Sequence, residues 1–307
     1  MIKGIHHVTA MTANIRKNIR FYTEILGLRF IKRTVNYDNP DIWHFYFGNE
    51  TGNPGTVITF FPFMGMPRGQ SGVGSTSVTG FSVGVDSLEF WRKRLKEYQV
   101  DFRGPFHRFD ESYISLHDLD GLELELVACP FDARQGMETP GISNENAIKG
   151  ISHVEMTCSI ADKTAFFLVN VLEHSRHLEE NDRIRLYSGE ATPGNFVDLV
   201  SRPSLPLHKG GIGTVHHMAL STPDQETQKA LRERISKSGI QVSQVMDRQY
   251  FQSVCFKEPG GVLIEIATLG PGFLVDETPE TLGQSLRLPA WMEPDRERIE
   301  AMLPPIE

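Results

Sequence analysis

Residues 215–220 read VHHMAL and residues 258–267 read EPGGVLIEIA: a strand-like run carrying a histidine pair, and a second strand that carries a glutamate after a glycine turn. The first run recurs. IHHVTA begins at Ile5, VTGFSV at Val78 and ISHVEM at Ile151, so four short apolar segments follow one another at spacings of 73, 73 and 64 residues. The second run recurs too, as NPGTVITFF from Asn53, DLDGLELELV from Asp118 and TPGNFVDLV from Thr192. Near-constant spacing is the signature of an internal repeat. The glycine in each turn supports a tight reversal into a closing strand.

Between the paired runs lie helical patterns, with apolar residues at three- and four-residue steps: Ile15, Ile19, Tyr22 and Leu26; Leu88, Trp91, Leu95 and Tyr98; Ala165, Leu168, Val169 and Leu172. Gly27 and Gly239 stand where such helices should stop. Strand, helix and about three strands give four βαβββ modules, each too small to be stable alone. The expected fold is α+β, with the modules paired into two curved-sheet, barrel-like domains. In sequence these are residues 1–140 (modules one and two) and 150–270 (modules three and four), followed by a C-terminal extension at 271–307.

Strand alternation predicts what faces the interior of each cup, because successive side chains point to opposite faces. In the last strand Val262, Ile264 and Ile266 form the apolar side, which leaves Glu265 on the cup side. In the first strands Val8, Val154 and Met218 face helices, and His7, His153 and His217 face inward, so only one histidine of each pair is expected to look into the cup. A buried, unpaired glutamate costs several kcal/mol unless a cation compensates it. Two imidazoles and one carboxylate form the facial arrangement of non-heme Fe(II) oxygenases, and the same donors also accept Zn, Ni or Mn. Equivalent positions across repeats point to His7, His217 and Glu265. If modules three and four pair instead, His153 completes an equal triad with His217 and Glu265. A cup from modules two and three would hold His153 and Glu125 with Gly80 at the second histidine position, and is expected to lack a metal.

Composition narrows the classes. The chain has 307 residues, 39% hydrophobic and 23% charged, with a net charge of -8, the range of an ordinary folded protein with room for two modest cores. The acidic balance argues against a nucleic-acid partner, which needs clustered Lys and Arg. Three widely spaced cysteines, Cys129, Cys158 and Cys255, fit a reducing compartment better than a disulfide framework. MIKGIHHVTA reads as a strand start and not a secretion signal, so a cytoplasmic location is expected. No apolar run approaches the roughly 20 residues of a membrane span, so no membrane role is expected.

These segments resemble the vicinal oxygen chelate superfamily, which includes glyoxalase I, bleomycin-resistance proteins and extradiol dioxygenases. GIHHVTA with FYTEILGL, NPGTVITFF, VHHMAL and EPGGVLIEIA is similar to its branch of hydroquinone-type ring-cleaving dioxygenases. The resemblance implies that modules one and four pair, which favours His7 over His153. It implies Fe(II) at His7, His217 and Glu265, a small aromatic substrate of the hydroquinone or catechol kind, and O2 with both atoms entering the ring-opened product. It further implies that His6, Thr9, His216 and Arg248 surround the substrate, with histidine moving protons and arginine stabilising an oxyanion. Relatives in this branch often carry tyrosine near Cys255, and a thiol is the weaker donor.

Two other functions share this framework. A glyoxalase-like lyase or isomerase would use Ni, Zn or Mn without O2, and a resistance protein would bind an aromatic toxin without needing a complete triad. The tail from Gly270, with GFLVDE and LPAWMEP, is expected to cover the entrance, with Phe273 and Trp291 as candidate substrate contacts. A homo-oligomer is compatible with all of these.

Overall fold

A computed structural model describes residues 1–306. Module one comprises β1 (Ile5–Thr12), α1 (Ile15–Arg20), β2 (Arg29–Asn36), β3 (Asn39–Gly48) and β4 (Val57–Pro62); module two comprises β5 (Ser75–Val83), α2 (Leu88–Glu97), β6 (Phe102–Arg108), β7 (Glu111–His117) and β8 (Glu123–Ala128). Module three runs β9 (Gly150–Cys158), α3 (Ala161–Asn170), β10 (Ser175–Glu180), β11 (Arg183–Tyr187) and β12 (Phe196–Ser201). Module four runs β13 (Val215–Thr222), α4 (Gln225–Lys237), β14 (Met246–Asp247), β15 (Gln252–Lys257) and β16 (Leu263–Thr268). All four have the βαβββ order that the repeat predicts. Asn14 and Asp224 cap α1 and α4 by accepting backbone N–H bonds, and Gly27 and Gly239 follow helical segments with φ of +72° and +86°. The first helical segment departs from a plain helix: it widens into a π-helical turn at Phe21–Ile25, which buries Phe21 and Tyr22 side by side.

The strands form two eight-stranded sheets, ordered β14-β15-β16-β13-β1-β4-β3-β2 and β10-β11-β12-β9-β5-β8-β7-β6. Each sheet therefore draws strands from both halves of the sequence, one from modules one and four, the other from modules two and three. Antiparallel pairs join the modules at the centre of each sheet, β1 with β13 and β5 with β9. The sheets are tied by bonds at equivalent points of the repeat: Ile5 N–H donates to the Gly194 carbonyl and Ile151 N–H to the Gly55 carbonyl, both at 2.8 Å.

The helices pack on the outer face of each sheet. Val8, Val154, Met218, Ile264 and Ile266 are fully buried there, with Trp91, Leu168 and Leu231 from the helices. Instead of two separate cores, one continuous apolar cluster runs through all four modules. A smaller cluster, including Ile31, Tyr46, Tyr250 and Phe273, lies on the cup side of the first sheet, where the C-terminal extension crosses it.

Candidate metal centre

Three adjacent central strands set the site. Glu265 on β16 is in register with Ala219 on β13, and His7 and His217 sit near the middle of the β1–β13 pair, where His7 faces Ala219 and Thr9 faces His217. Inward alternation from three adjacent strands therefore converges. One donor atom from each of His7, His217 and Glu265 lies within 4.8 Å of the other two, the one such cluster among the described residues. His7 Nε2 is 3.4 Å from His217 Nε2 and 3.5 Å from Glu265 Oε1, and His217 Nε2 is 4.0 Å from Glu265 Oε2.

These approaches are not ion pairs. Burial, then the neighbouring histidines, holds His7 neutral, and burial does the same for His217. Burial also raises Glu265 to about 7, although Arg248 opposes the shift. Glu265 Oε1 has no hydrogen-bond partner among the described residues. Two nitrogen lone pairs and an orphaned carboxylate oxygen thus look at one point. Donors around a divalent ion with bonds of about 2.1 Å stand roughly 3 Å apart at adjacent positions, so a small contraction would seat an ion.

The histidine pairs hold the first surprise. The strand register slips by one residue between Ile5 and His7 and between His217 and Val215, which makes His6 and His216 the extra residues of two β-bulges. The alternation rule fails there, and both rings of each pair come together. His6 Nδ1 lies 2.9 Å from His7 Nδ1, and His216 Nδ1 lies 2.8 Å from His217 Nδ1. A free lone pair on Nε2 of His7 and His217 places their protons on Nδ1, where they donate to His6 and His216. His6 then carries its proton on Nε2, and burial lowers its pKa to about 4, although the Thr268 backbone opposes the shift, so it stays neutral.

A cavity of about 280 Å³ opens above the three donors, lined among others by His44, Tyr46, Phe61, His216, Arg248 and Phe251. His216 is exposed to it, and its Nε2–H is the free donor of that pair. Arg248 lines the wall with its guanidinium on Asp38 Oδ2 at 3.0 Å. Cys255 faces Glu265 across the β15–β16 pair, with Sγ 3.5 Å from Oε2, and burial beside that carboxylate keeps it a thiol. His6 and Thr9 stand behind the lining. Thr9 is fully buried and accepts from Thr59 Oγ1 at 2.8 Å.

Sequence reading missed His44. Its Nε2 bonds Thr59 Oγ1 at 2.8 Å, its Nδ1 bonds the Tyr46 hydroxyl at 2.9 Å, and its ring lies 4.2 Å from that of Phe61. The signal was present in β3, where Trp43, Phe45 and Phe47 pack on the helix side and leave His44 and Tyr46 on the cup side. In the extension, Phe273 packs on Tyr46 and Tyr250, and Trp291 lies against Tyr37 on an outer recess that also touches Asp38 and Arg248.

Fold and donor set define a βαβββ cup protein with a candidate metal centre. The family model described as the Glyoxalase/Bleomycin resistance protein/Dioxygenase superfamily matches residues 4–126 and 150–266, and the chain belongs to that superfamily. The Bacillus subtilis (strain 168) protein named "Putative ring-cleaving dioxygenase MhqE" is 41% identical over 305 residues, covering 98% of each chain. A chlorohydroquinone/hydroquinone 1,2-dioxygenase from Sphingobium indicum is 29% identical, over 95% of this chain and 93% of its own. A crystal structure of a Bacillus subtilis protein superposes with a TM-score of 0.95 at 40% identity, covering 100% of this chain and 98% of that one. Glyoxalase I from Zea mays shares the fold, with a TM-score of 0.64 at 14% identity over 86% of this chain and 92% of that one.

Proposed function

We propose that the protein is an Fe(II)-dependent dioxygenase that opens hydroquinone-like or catechol-like rings, with His7, His217 and Glu265 as the ligands of the ion. The ring-cleaving class is that of its full-length relatives. The observation that carries the site assignment is the convergence of two neutral imidazoles and a carboxylate with one oxygen unpaired beneath an aromatic-walled cavity. Fe(II) in that position supplies Lewis acidity toward a phenolic oxygen and a path for electrons to O2. Fe(II) is preferred over Zn because ring opening by O2 would need an ion that can pass electrons, and Zn has no redox chemistry.

The chain's own residues do the rest. Phe61 and Phe251 give the cavity an apolar wall against which an aromatic substrate would pack. Arg248 supplies a permanent positive charge to a phenolate at the wall, and the Nε2–H of His216 donates to an oxygen that gains charge as the ring opens. His44, neutral and fixed by Thr59 and Tyr46, holds the Tyr46 hydroxyl in place at the cavity wall. Cys255 stands where it contributes only weak hydrogen bonding to the bound oxygens. No described helix is long and apolar enough to cross a membrane, and three unpaired cysteines favour the cytoplasm as the working compartment.

The test is O2 uptake by protein loaded with Fe(II) under anaerobic conditions and then given hydroquinone, methylhydroquinone or catechol. The expected result is one O2 consumed per ring lost from the ultraviolet spectrum. Bound iron with no uptake would turn the assignment toward an O2-independent lyase.

A further inference from the structure

The second sheet builds a cup on the same plan as the first, and the comparison reveals a device at the rim of the metal cup. In the β5–β9 pair the register slips at Ser77 and Ser152, the places that His216 and His6 occupy in the first sheet. The residues that follow the bulges are Val78 and His153, so Val78 is the counterpart of a metal-facing histidine. Gly80 instead makes room for the His153 ring, since a Cβ there would lie 2.2 Å from its Cε1. His153 Nε2 stands 3.4 Å from Glu125 Oε2, close to the 3.5 Å between His7 and Glu265.

Between His153 and Glu125 sits a guanidinium. Arg108 Nη2 is 2.5 Å from Glu125 Oε2 and 3.1 Å from His153 Nε2, where an ion would stand in the other cup. Arg108 is the counterpart of Arg248. Ser115 pairs with Glu125 as Cys255 pairs with Glu265, each arginine lies seven residues before that partner, and each is followed by a residue with positive φ, Phe109 at 49° and Gln249 at 65°. The same arginine thus points into one cup and away from the donors in the other.

Arg108 also has Glu111 Oε2 3.5 Å from its Nε, and a second difference is a carboxylate at the rim. Asp38, in the β2–β3 turn, holds Arg248 at 3.0 Å, and Ser253 Oγ and Met246 Sδ lie 3.4 Å from the same guanidinium. At the corresponding β10–β11 turn, Glu180 instead accepts the backbone N–H of Phe109 at 2.7 Å, and Arg108 turns inward. The first cup also offers an inward arginine a partner, because Glu265 Oε1 is buried and unpaired. We infer that Asp38 is a latch that keeps Arg248 off Glu265, so that the donor set stays open to a metal ion instead of closing on an internal cation as the second cup has done. Asp38 is a positioning residue, and the inference rests on the assignment of His7, His217 and Glu265 as ligands.

Calorimetric titration with Co(II) tests it without turnover. Wild-type protein is expected to bind one Co(II) per chain. Asp38→Ala, at an exposed turn that should fold normally, binds about tenfold more weakly, because an exposed ion pair no longer competes with a buried one for Arg248. Asp38→Glu restores the affinity. Arg248→Ala binds at least as tightly as wild type, and Asp38→Ala combined with Arg248→Ala recovers what the single Asp38 change loses. Wild-type affinity in Asp38→Ala, or a double variant as weak as Asp38→Ala, would overturn the latch while leaving the ligand set standing. A wild-type chain that takes up no Co(II) would overturn the ligand assignment and the latch together.

Discussion

His6 shows how a residue behind the cavity lining can govern a site. Its Nδ1 accepts the Nδ1 proton of His7, which leaves His7 Nε2 as the lone pair facing Glu265. Replacing His6 with Phe keeps a ring of similar size and removes the acceptor. Partners of this kind usually contribute 10–100-fold in metal affinity, so His6→Phe should weaken Co(II) binding by about that factor while circular dichroism stays that of the wild type. Unchanged affinity would show that His7 needs no tautomer lock. At this scale the sequence disclosed much. Glu265 could be placed in the cup because three apolar neighbours of β16 alternate around it. The pairing of His6 with His7 could not be foreseen, since a bulge is an extra residue in hydrogen-bond register and leaves no mark in a period-two pattern. His44 was legible in principle from the alternation of β3, but it lies outside the repeated strand segments that single out the other histidines.

Among the elements, the C-terminal extension is the one whose attachment sequence periodicity could not reveal. Its anchor is a lysine on β2. Lys32 is fully buried, with Nζ 2.6 Å from Asp276 Oδ1, 3.2 Å from the Phe273 carbonyl and in contact with Glu277, whose side chain is also fully buried. The extension thereby lays Phe273 against Tyr46 and Tyr250 beneath the cavity wall. Removing one partner of a buried pair leaves the other charge without compensation and commonly costs about 3–5 kcal/mol. Lys32→Met should therefore lower the urea midpoint clearly and expose the segment beyond Asp276 to limited proteolysis. A variant that unfolds like the wild type and resists the protease would show that apolar packing alone holds the tail. The helices were easier to read, because their apolar stripes are long. The π-helical turn after α1 was not, since it changes the step between buried residues within a single turn.

For the molecule as a whole, the decisive fact is which modules share a sheet. His7 and His153 completed equally good triads in the sequence pattern, because local patterns specify faces and not partners. The strand order places β1 beside β13 and β9 beside β5, which sends His7 to Glu265 and His153 to Glu125. The second cup then solves the problem of a buried carboxylate with a protein cation. Burial pushes Glu125 upward, but the Arg108 charge and the His153 bond outweigh it and hold its pKa at about 2, against an ordinary 4.5. A carboxylate with a depressed folded pKa contributes stability above its unfolded pKa, and that contribution is lost as pH falls through the folded value. Arg108→Ala should therefore destabilise the protein by about 3–5 kcal/mol at neutral pH, where Glu125 is left charged and unpaired. The deficit should narrow as pH falls toward about 2, because the variant's Glu125, without the Arg108 charge, takes up a proton in the folded state while wild-type Glu125 stays charged down to that value. Urea unfolding of both chains across that interval measures the gap directly. A gap that stays constant with pH would mean that Arg108 acts through packing and not through charge, and the second cup would then owe its stability to shape alone.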